Sequence, residues 1–248
     1  MFDHVTIRVS DRAASERFYD TLLPVLGVEQ THSGDDFAEW RDFSIAAATA
    51  DQPTTRGLHV GFGASSPAVV DEFWRVGIDA GFTDDGPPGP RPEYGGDYYG
   101  GFLLDADGNS AEAAHHGSLR GGGCIDHLWI RVASIAASTR FYELVASFAG
   151  FGAEQRAGRA HFVGDGGSLS LLADERPRTE HVHLAFPAAE NATVDAFHRA
   201  MLDAGHRDNG GPGERPVYHD GYYGAFVLDP DGNNVELVNH NRSRDDSR

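Results

Sequence analysis

The sequence predicts an α+β protein made by tandem duplication, with four strand–helix–three-strand units in all. Alternating apolar and polar runs mark the strands, and apolar positions at helical spacing behind capping residues mark the helices. The chain also repeats itself at a nearly constant offset. Asp97-Tyr-Tyr-Gly-Gly-Phe-Leu-Leu-Asp-Ala-Asp-Gly-Asn-Ser-Ala-Glu112 matches Gly221-Tyr-Tyr-Gly-Ala-Phe-Val-Leu-Asp-Pro-Asp-Gly-Asn-Asn-Val-Glu236, 124 positions on. Asp3-His4 and Arg17-Phe-Tyr19 match Asp126-His127 and Arg140-Phe-Tyr142, 123 positions on. The repeat divides the chain into module 1 (residues 1–117), a glycine-rich linker (118–123), module 2 (124–241) and a polar tail (242–248).

In chain order, Phe2–Val9 reads as a strand with His4, Thr6 and Arg8 on one face and Val5, Ile7 and Val9 on the other. Ser10 or Asp11 caps a helix through Leu26, and Gly27 stops it. Strands follow near Val28–His32, Phe37–Trp40 and Ser44–Thr49. Gly57–Phe62 is the next strand, and Ser66-Pro67 opens a helix that ends near Gly81. Asp84–Asp97, rich in Gly and Pro, reads as a loop. Tyr98–Leu104 and Ser110–Ala114 close the module as a hairpin around an Asp-Gly turn. In module 2 the strand Ile125–Val132 precedes a helix capped by Ser134 and stopped by Gly150. Strands His161–Val163, Ser168–Leu172 and His181–Phe186 come next, then a helix capped by Asn191, and a hairpin whose return strand runs from Asn234 to Val238.

Composition narrows the function. A net charge of −18 gives no basic surface for nucleic acid or an anionic membrane. All 20 basic residues are arginine, so lysine Schiff-base and lysine-nucleophile chemistry is excluded. One cysteine, Cys124, has no internal partner, which fits a reducing compartment. No apolar run approaches a membrane span and no signal-peptide pattern opens the chain, so the expected location is the cytoplasm.

The chemistry concentrates in three aligned positions. Superposing the copies sets His4 against His127, His59 against His183 and Glu112 against Glu236. Glu236 shares a strand face with Asn234, Val238 and His240, and a carboxylate there is costly unless it is paired or bound to a metal. A lone histidine in an apolar strand is most simply a hydrogen-bonded core residue. Two histidines and a glutamate kept in register through a duplication whose helices have drifted favour a metal instead. Two imidazoles and one carboxylate form the facial set that holds non-haem Fe(II) with open positions, and Mn, Zn or Ni could also be held.

With Arg-Phe-Tyr in each first helix, His-x-x-Phe strands and Tyr-Tyr-Gly-x-Phe-x-Leu-Asp-x-Asp-Gly-Asn-x-x-Glu, the chain resembles the vicinal oxygen chelate superfamily: glyoxalases, bleomycin-resistance proteins, fosfomycin-resistance enzymes and extradiol dioxygenases. The resemblance spans nearly the whole chain. It implies paired βαβββ units curled into two cup-shaped mixed sheets, each around a divalent metal. The implied ligands are His4, His59, Glu112, His127, His183 and Glu236. Triads within modules, or exchanged so that His4 joins His183 and Glu236, both fit the sequence.

The resemblance further implies a small-molecule substrate chelated through adjacent oxygens. Extradiol-type Fe(II) oxygenation is favoured, although Phe226 stands where that class carries an acid–base tyrosine and both modules look intact. Glyoxalase-type isomerisation or lysis is the alternative, but Ser44–Thr49 and Ser168–Leu172 lack its extra ligand. A drug-binding role without chemistry is a third reading, disfavoured by the triads. His219, which Gly95 replaces in module 1, Tyr223 and Arg131 are the catalytic candidates. Trp129, Tyr218, Tyr222 and Arg8 are the substrate-binding candidates, with module 2 the fuller copy, and His116 and His240 are possible partners of the ligands. A monomer, as a pseudo-dimer of modules, or a homodimer is expected.

Overall fold

A computed structural model describes residues 1–117, 122–156 and 159–241. Most of the linker (118–121) and the whole of the tail (242–248) lie outside the described residues. Four βαβββ units follow one another. The first is β1 (His4–Val9), α1 (Arg12–Leu22), β2 (His32–Ser33), β3 (Phe37–Trp40) and β4 (Phe43–Ala47). The second is β5 (His59–Gly63), α2 (Pro67–Asp79), β6 (Thr83–Pro90), β7 (Tyr99–Leu104) and β8 (Ser110–His115). The third is β9 (Ile125–Arg131), α3 (Ile135–Ala149), β10 (Gly152–Arg156), β11 (Arg159–Gly164) and β12 (Gly167–Leu172). The fourth is β13 (His183–Pro187), α4 (Asn191–Asp203), β14 (Arg207–Glu214), β15 (Tyr223–Leu228) and β16 (Asn234–Asn239).

The units exchange partners across the duplication. One eight-stranded mixed sheet runs β14-β15-β16-β13-β1-β4-β3-β2, joining units one and four, and the other runs β10-β11-β12-β9-β5-β8-β7-β6, joining units two and three. The seams are antiparallel: His4 lies opposite Ala185 between β1 and β13, and Gly61 lies opposite His127 between β5 and β9. The helices pair the other way, α1 packing on α2 and α3 on α4. Each module is thus held together by its helices, and each cup by strands from both modules.

Alternation along the strands sorts the two faces. In β1, Val5, Ile7 and Val9 are fully buried in the core with Phe18, Tyr19 and Trp40, while His4, Thr6 and Arg8 face the concave side. Tyr19 and Tyr142, from the Arg-Phe-Tyr motifs, reach through the core and donate to Asp105 and Asp229, at 3.1 and 3.0 Å. Asp105 also accepts the backbone N–H groups of Asp107 and Asn109, as Asp229 does those of Asp231 and Asn233. The Asp-x-Asp-Gly-Asn motif is therefore a structural turn that orients the strand carrying each glutamate.

Several elements differ from the sequence reading. The Gly/Pro-rich stretches at 84–97 and 208–221 begin as edge strands, β6 and β14. The missing proline donors fall at a sheet edge, and register shifts around Gly86 and Gly210 absorb the misfit. β2 is only two residues, because the chain after α1 first makes a 3₁₀ turn over Leu23–Leu26 before Gly27 (φ 75°) reverses it. β10 was not anticipated, since its sequence, Gly-Ala-Glu-Gln-Arg, has no apolar alternation. Glu190, not Asn191, occupies the N-cap of α4; the Asn191 side-chain oxygen instead accepts from Asn239, at 2.8 Å. Asp11, Ser66 and Ser134 cap their helices as read.

Candidate metal centres

The exchange of units decides which candidate ligands meet. His4, His183 and Glu236 converge in one cup, and His59, His127 and Glu112 in the other. Each triad takes its first-strand histidine from one module and its other two residues from the other module. Triads formed within a module are thereby excluded.

The second cup is the tighter. His59 Nε2 lies 2.9 Å from Glu112 Oε2 and 3.1 Å from His127 Nε2, and His127 Nε2 lies 3.1 Å from Glu112 Oε2. Three donors about 2.1 Å from one ion at mutually right angles would stand about 3.0 Å apart, so this spacing fits the facial set. In the first cup His183 Nε2 is 3.1 Å from both His4 Nε2 and Glu236 Oε2, but His4 Nε2 is 3.8 Å from Glu236. The seams differ as well. Gly61 lies beneath the His127 ring, where any Cβ would collide with it, whereas the residue opposite His4 is Ala185, which carries a methyl. Gly100 and Gly224 serve the glutamates likewise, since a side chain there would meet Glu112 or Glu236.

Hydrogen bonds outside the triads fix the tautomers. His127 Nδ1 donates to Asp126 at 2.9 Å, and Asp126 also accepts from His116 at 2.8 Å. His59 Nδ1 donates to Ser110 Oγ at 3.2 Å, and Ser110 donates on to Asp85 at 2.7 Å. Both Nε2 atoms are thereby left as lone pairs, aimed at each other and at a carboxylate that is fully buried. Three acceptors with no donor between them repel unless a cation sits among them, and a divalent metal fits this donor set. Without one, a proton must serve. Burial opposes charge on His127, but its hydrogen bonds to Asp126 and Glu112 push it up to about 9. Burial holds His59 below its ordinary value. Burial alone would raise Glu112, yet the two histidines bring it down to about 2.

The first cup repeats the pattern at His4 and extends it, but differs at His183, whose Nδ1 faces the Asn234 side-chain amide nitrogen at 2.5 Å while the Asn234 oxygen accepts from Asn209. His4 Nδ1 donates to Asp3 at 2.8 Å, Asp3 accepts from His240 at 2.9 Å, and His240 Nδ1 meets His219 Nε2 at 2.7 Å. Gly95 truncates that chain in the second cup. Tyr222 and Tyr98 each donate to their glutamate at 2.7 Å.

The remaining candidates divide between the cups. Tyr218, Tyr222, His219 and Arg8 belong to the cup of Glu236, while Trp129 and Arg131 belong to that of Glu112, so module 2 does not own a complete site. Trp129 lies 5.0 Å from the His59 ring and 4.9 Å from that of Tyr94. Thr6 takes its place in the first cup, and Tyr218 is left exposed there. Arg131 is buried and bound to Asp174, at 3.1 Å, and among the described residues the half-buried Arg8 side chain bonds the Ala47 carbonyl, at 3.4 Å, and no carboxylate. Tyr223 lies away from either triad, because its hydroxyl donates to Asp195 on the outer helix α4. The sequence reading gave no role to Asp3 and Asp126, although the repeated Asp-His pair was the available signal. It also missed Tyr98 and the pair His161 and Ser170, 2.9 Å apart in the second cup.

Residues 124–237 match the model of the glyoxalase/bleomycin resistance protein/dioxygenase superfamily, and the duplication carries the same motifs into the first module. This chain belongs to that superfamily. Glyoxalase I from Zea mays shares the fold over 96% of this chain and 92% of its own, with 17% identity and a TM-score of 0.70. A Bacillus subtilis protein provisionally described as a dioxygenase is similar over 98% and 86%, with 12% identity and a TM-score of 0.66. A glyoxalase/bleomycin resistance protein from Albidiferax ferrireducens is 36% identical over 47% of this chain and 99% of its own, with a TM-score of 0.43. No curated protein matches the sequence. Among the described residues no helix is long and apolar enough to cross a membrane.

Proposed function

We propose that this superfamily member is a divalent-metal-dependent enzyme, a non-haem Fe(II) oxygenase acting on a small substrate held through two adjacent oxygens. The observation that carries the reading is the three-donor set in each cup, with Ser44 and Ser170, which face the cups on the adjoining strands, adding no fourth carboxylate. His4, His183 and Glu236 would hold one ion, and His59, His127 and Glu112 the other. Bound there, the metal would act as a Lewis acid toward substrate oxygens and as a site for dioxygen.

The surrounding side chains supply orientation and protons. Asp3 and Asp126 hold the first-strand imidazoles with Nε2 toward the ion. Tyr222 and Tyr98 keep one carboxylate oxygen occupied, so that the other is presented. In the first cup His219 Nδ1 donates to the Asp220 carbonyl and His240 Nε2 to Asp3. Their facing nitrogens meet at 2.7 Å, which joins His219 to the Asp3–His4 pair. His219 would relay protons between solvent and this cup. Arg8, half-buried without a carboxylate, would hold an anionic substrate oxygen.

A second reading is favoured by Phe226, opposite Glu236 across the hairpin in place of an acid–base tyrosine. It is glyoxalase-type proton transfer without dioxygen. Anaerobic loading with Fe(II), then an oxygen electrode with candidate vicinal diols and α-hydroxyketones, separates the two. Substrate-dependent oxygen uptake is expected; turnover without uptake would establish the second reading.

A further inference from the structure

We propose that the cup of His59, His127 and Glu112 takes a planar, anionic substrate and prefers it more strongly than the other cup does; the assignment of a role in turnover rests on the function proposed above, but the binding does not. A cavity of about 550 Å³ opens beside His59, walled by Trp129 and ringed by Arg56, Arg91, Arg131 and Arg176. Asp85 and Asp107 also line it, the first accepting from Ser110 and the second from the Ser10 backbone, at 2.7 and 2.9 Å.

Asp174 bridges the Arg131 and Arg176 guanidinium groups, at 3.1 and 2.9 Å. Arg91 donates to the Pro87 and Pro90 carbonyls and lies 5.3 Å over Phe102, with no carboxylate on it among the described residues. The Arg56 side chain makes no ion pair among the described residues. The cavity thus sets four arginines against Asp85, Asp107 and the bridging Asp174, a surplus of positive charge in a protein whose net charge is −18. That local surplus attracts anions. The flat wall of Trp129, set edge-on to Tyr94 at 84°, favours a planar body between the charges and the metal ligands.

The other cup keeps only part of this constellation: Arg215 repeats Arg91, 5.5 Å over Phe226, and Arg8 repeats Arg131. By the repeat, Glu180 stands for Arg56, Gln52 for Arg176 and Thr6 for Trp129. The class of ligand is therefore an aromatic or enolic ring carrying a carboxylate, sulfonate or phosphate remote from its chelating oxygens.

Isophthalate is a suitable probe and isophthalamide its neutral control, each titrated against the full chain with and without metal by calorimetry and tryptophan fluorescence. The wild type should bind the dianion at least about tenfold more tightly than the diamide, the gain of one or two charge-assisted hydrogen bonds. Arg91→Ala and Arg56→Glu, the latter copying the residue that the fold already accommodates at 180, should abolish that preference, and Trp129→Phe should remove the quenching. Equal binding of the two probes, or a preference abolished by Arg8→Ala instead, overturns the proposal. Selective binding to a chain that takes up no metal would leave it standing while the metal-dependent function fell.

Discussion

Glu112 and His127 approach to 3.1 Å although they lie in different modules and different units of the chain. The antiparallel seam between β5 and β9 creates the contact, bringing Gly61 opposite His127 and leaving room for the imidazole. The consequences can be measured.

Two divalent ions per chain are expected by elemental analysis after anaerobic reconstitution, one for each triad. Glu112→Ala and Glu236→Ala should each remove one. His59→Ala and His127→Ala, combined, should remove no more metal than either alone, despite their separate modules. A loss of both ions from that double variant would contradict the exchanged pairing.

The methyl at Ala185 separates the two centres in quality. Gly61→Ala should weaken metal binding in the second cup by about tenfold or more, because the His127 ring must leave its place. Ala185→Gly should let His4 close on Glu236 and strengthen the first cup. Competition against a chelator reads both, and opposite signs in the two variants are the expected result.

Without metal, stability should fall between pH 6.5 and 9. His127 is raised from 6.5 to about 9, so the folded protein keeps a proton that the unfolded chain loses first. The contribution is complete below pH 6.5 and gone above about 9, and at its largest is on the order of 3 kcal/mol. His4 is raised and acts in the same sense, while His59 and His183 are lowered and act only below this window. Thermal melts of the metal-free protein should show the fall, and His127→Gln should flatten it.

His219→Ala should leave the metal content intact. If proton delivery limits turnover in the first cup, the rate there should drop by roughly 10²–10⁴-fold. His183→Ala should lose metal and activity together. Unchanged turnover in the His219 variant would return it to an ordinary surface hydrogen bond with His240.

The sequence by itself determined the units and the donors. Period-two alternation told which side of β1 holds His4 and which side holds the core, because successive side chains must point to opposite faces. The duplication identified six ligand candidates, since a repeat compares a chain with itself. Gly86 and Gly210 hid the edge strands β6 and β14, because Gly/Pro composition signals a turn unless a neighbouring strand is present to pair with it. Tertiary structure alone decided the partnership of the halves. Intramodule and exchanged cups bury the same strand faces and use the same motifs, so nothing local distinguishes them; the register of β1 on β13 and of β5 on β9 does. The same registers moved Trp129 away from His219, gathered arginines from positions 56, 91, 131 and 176 around one cavity, and set Ala185 opposite His4 where Gly61 stands opposite His127. Such contacts join residues far apart in the chain, and their geometry exists only once the two sheets have formed.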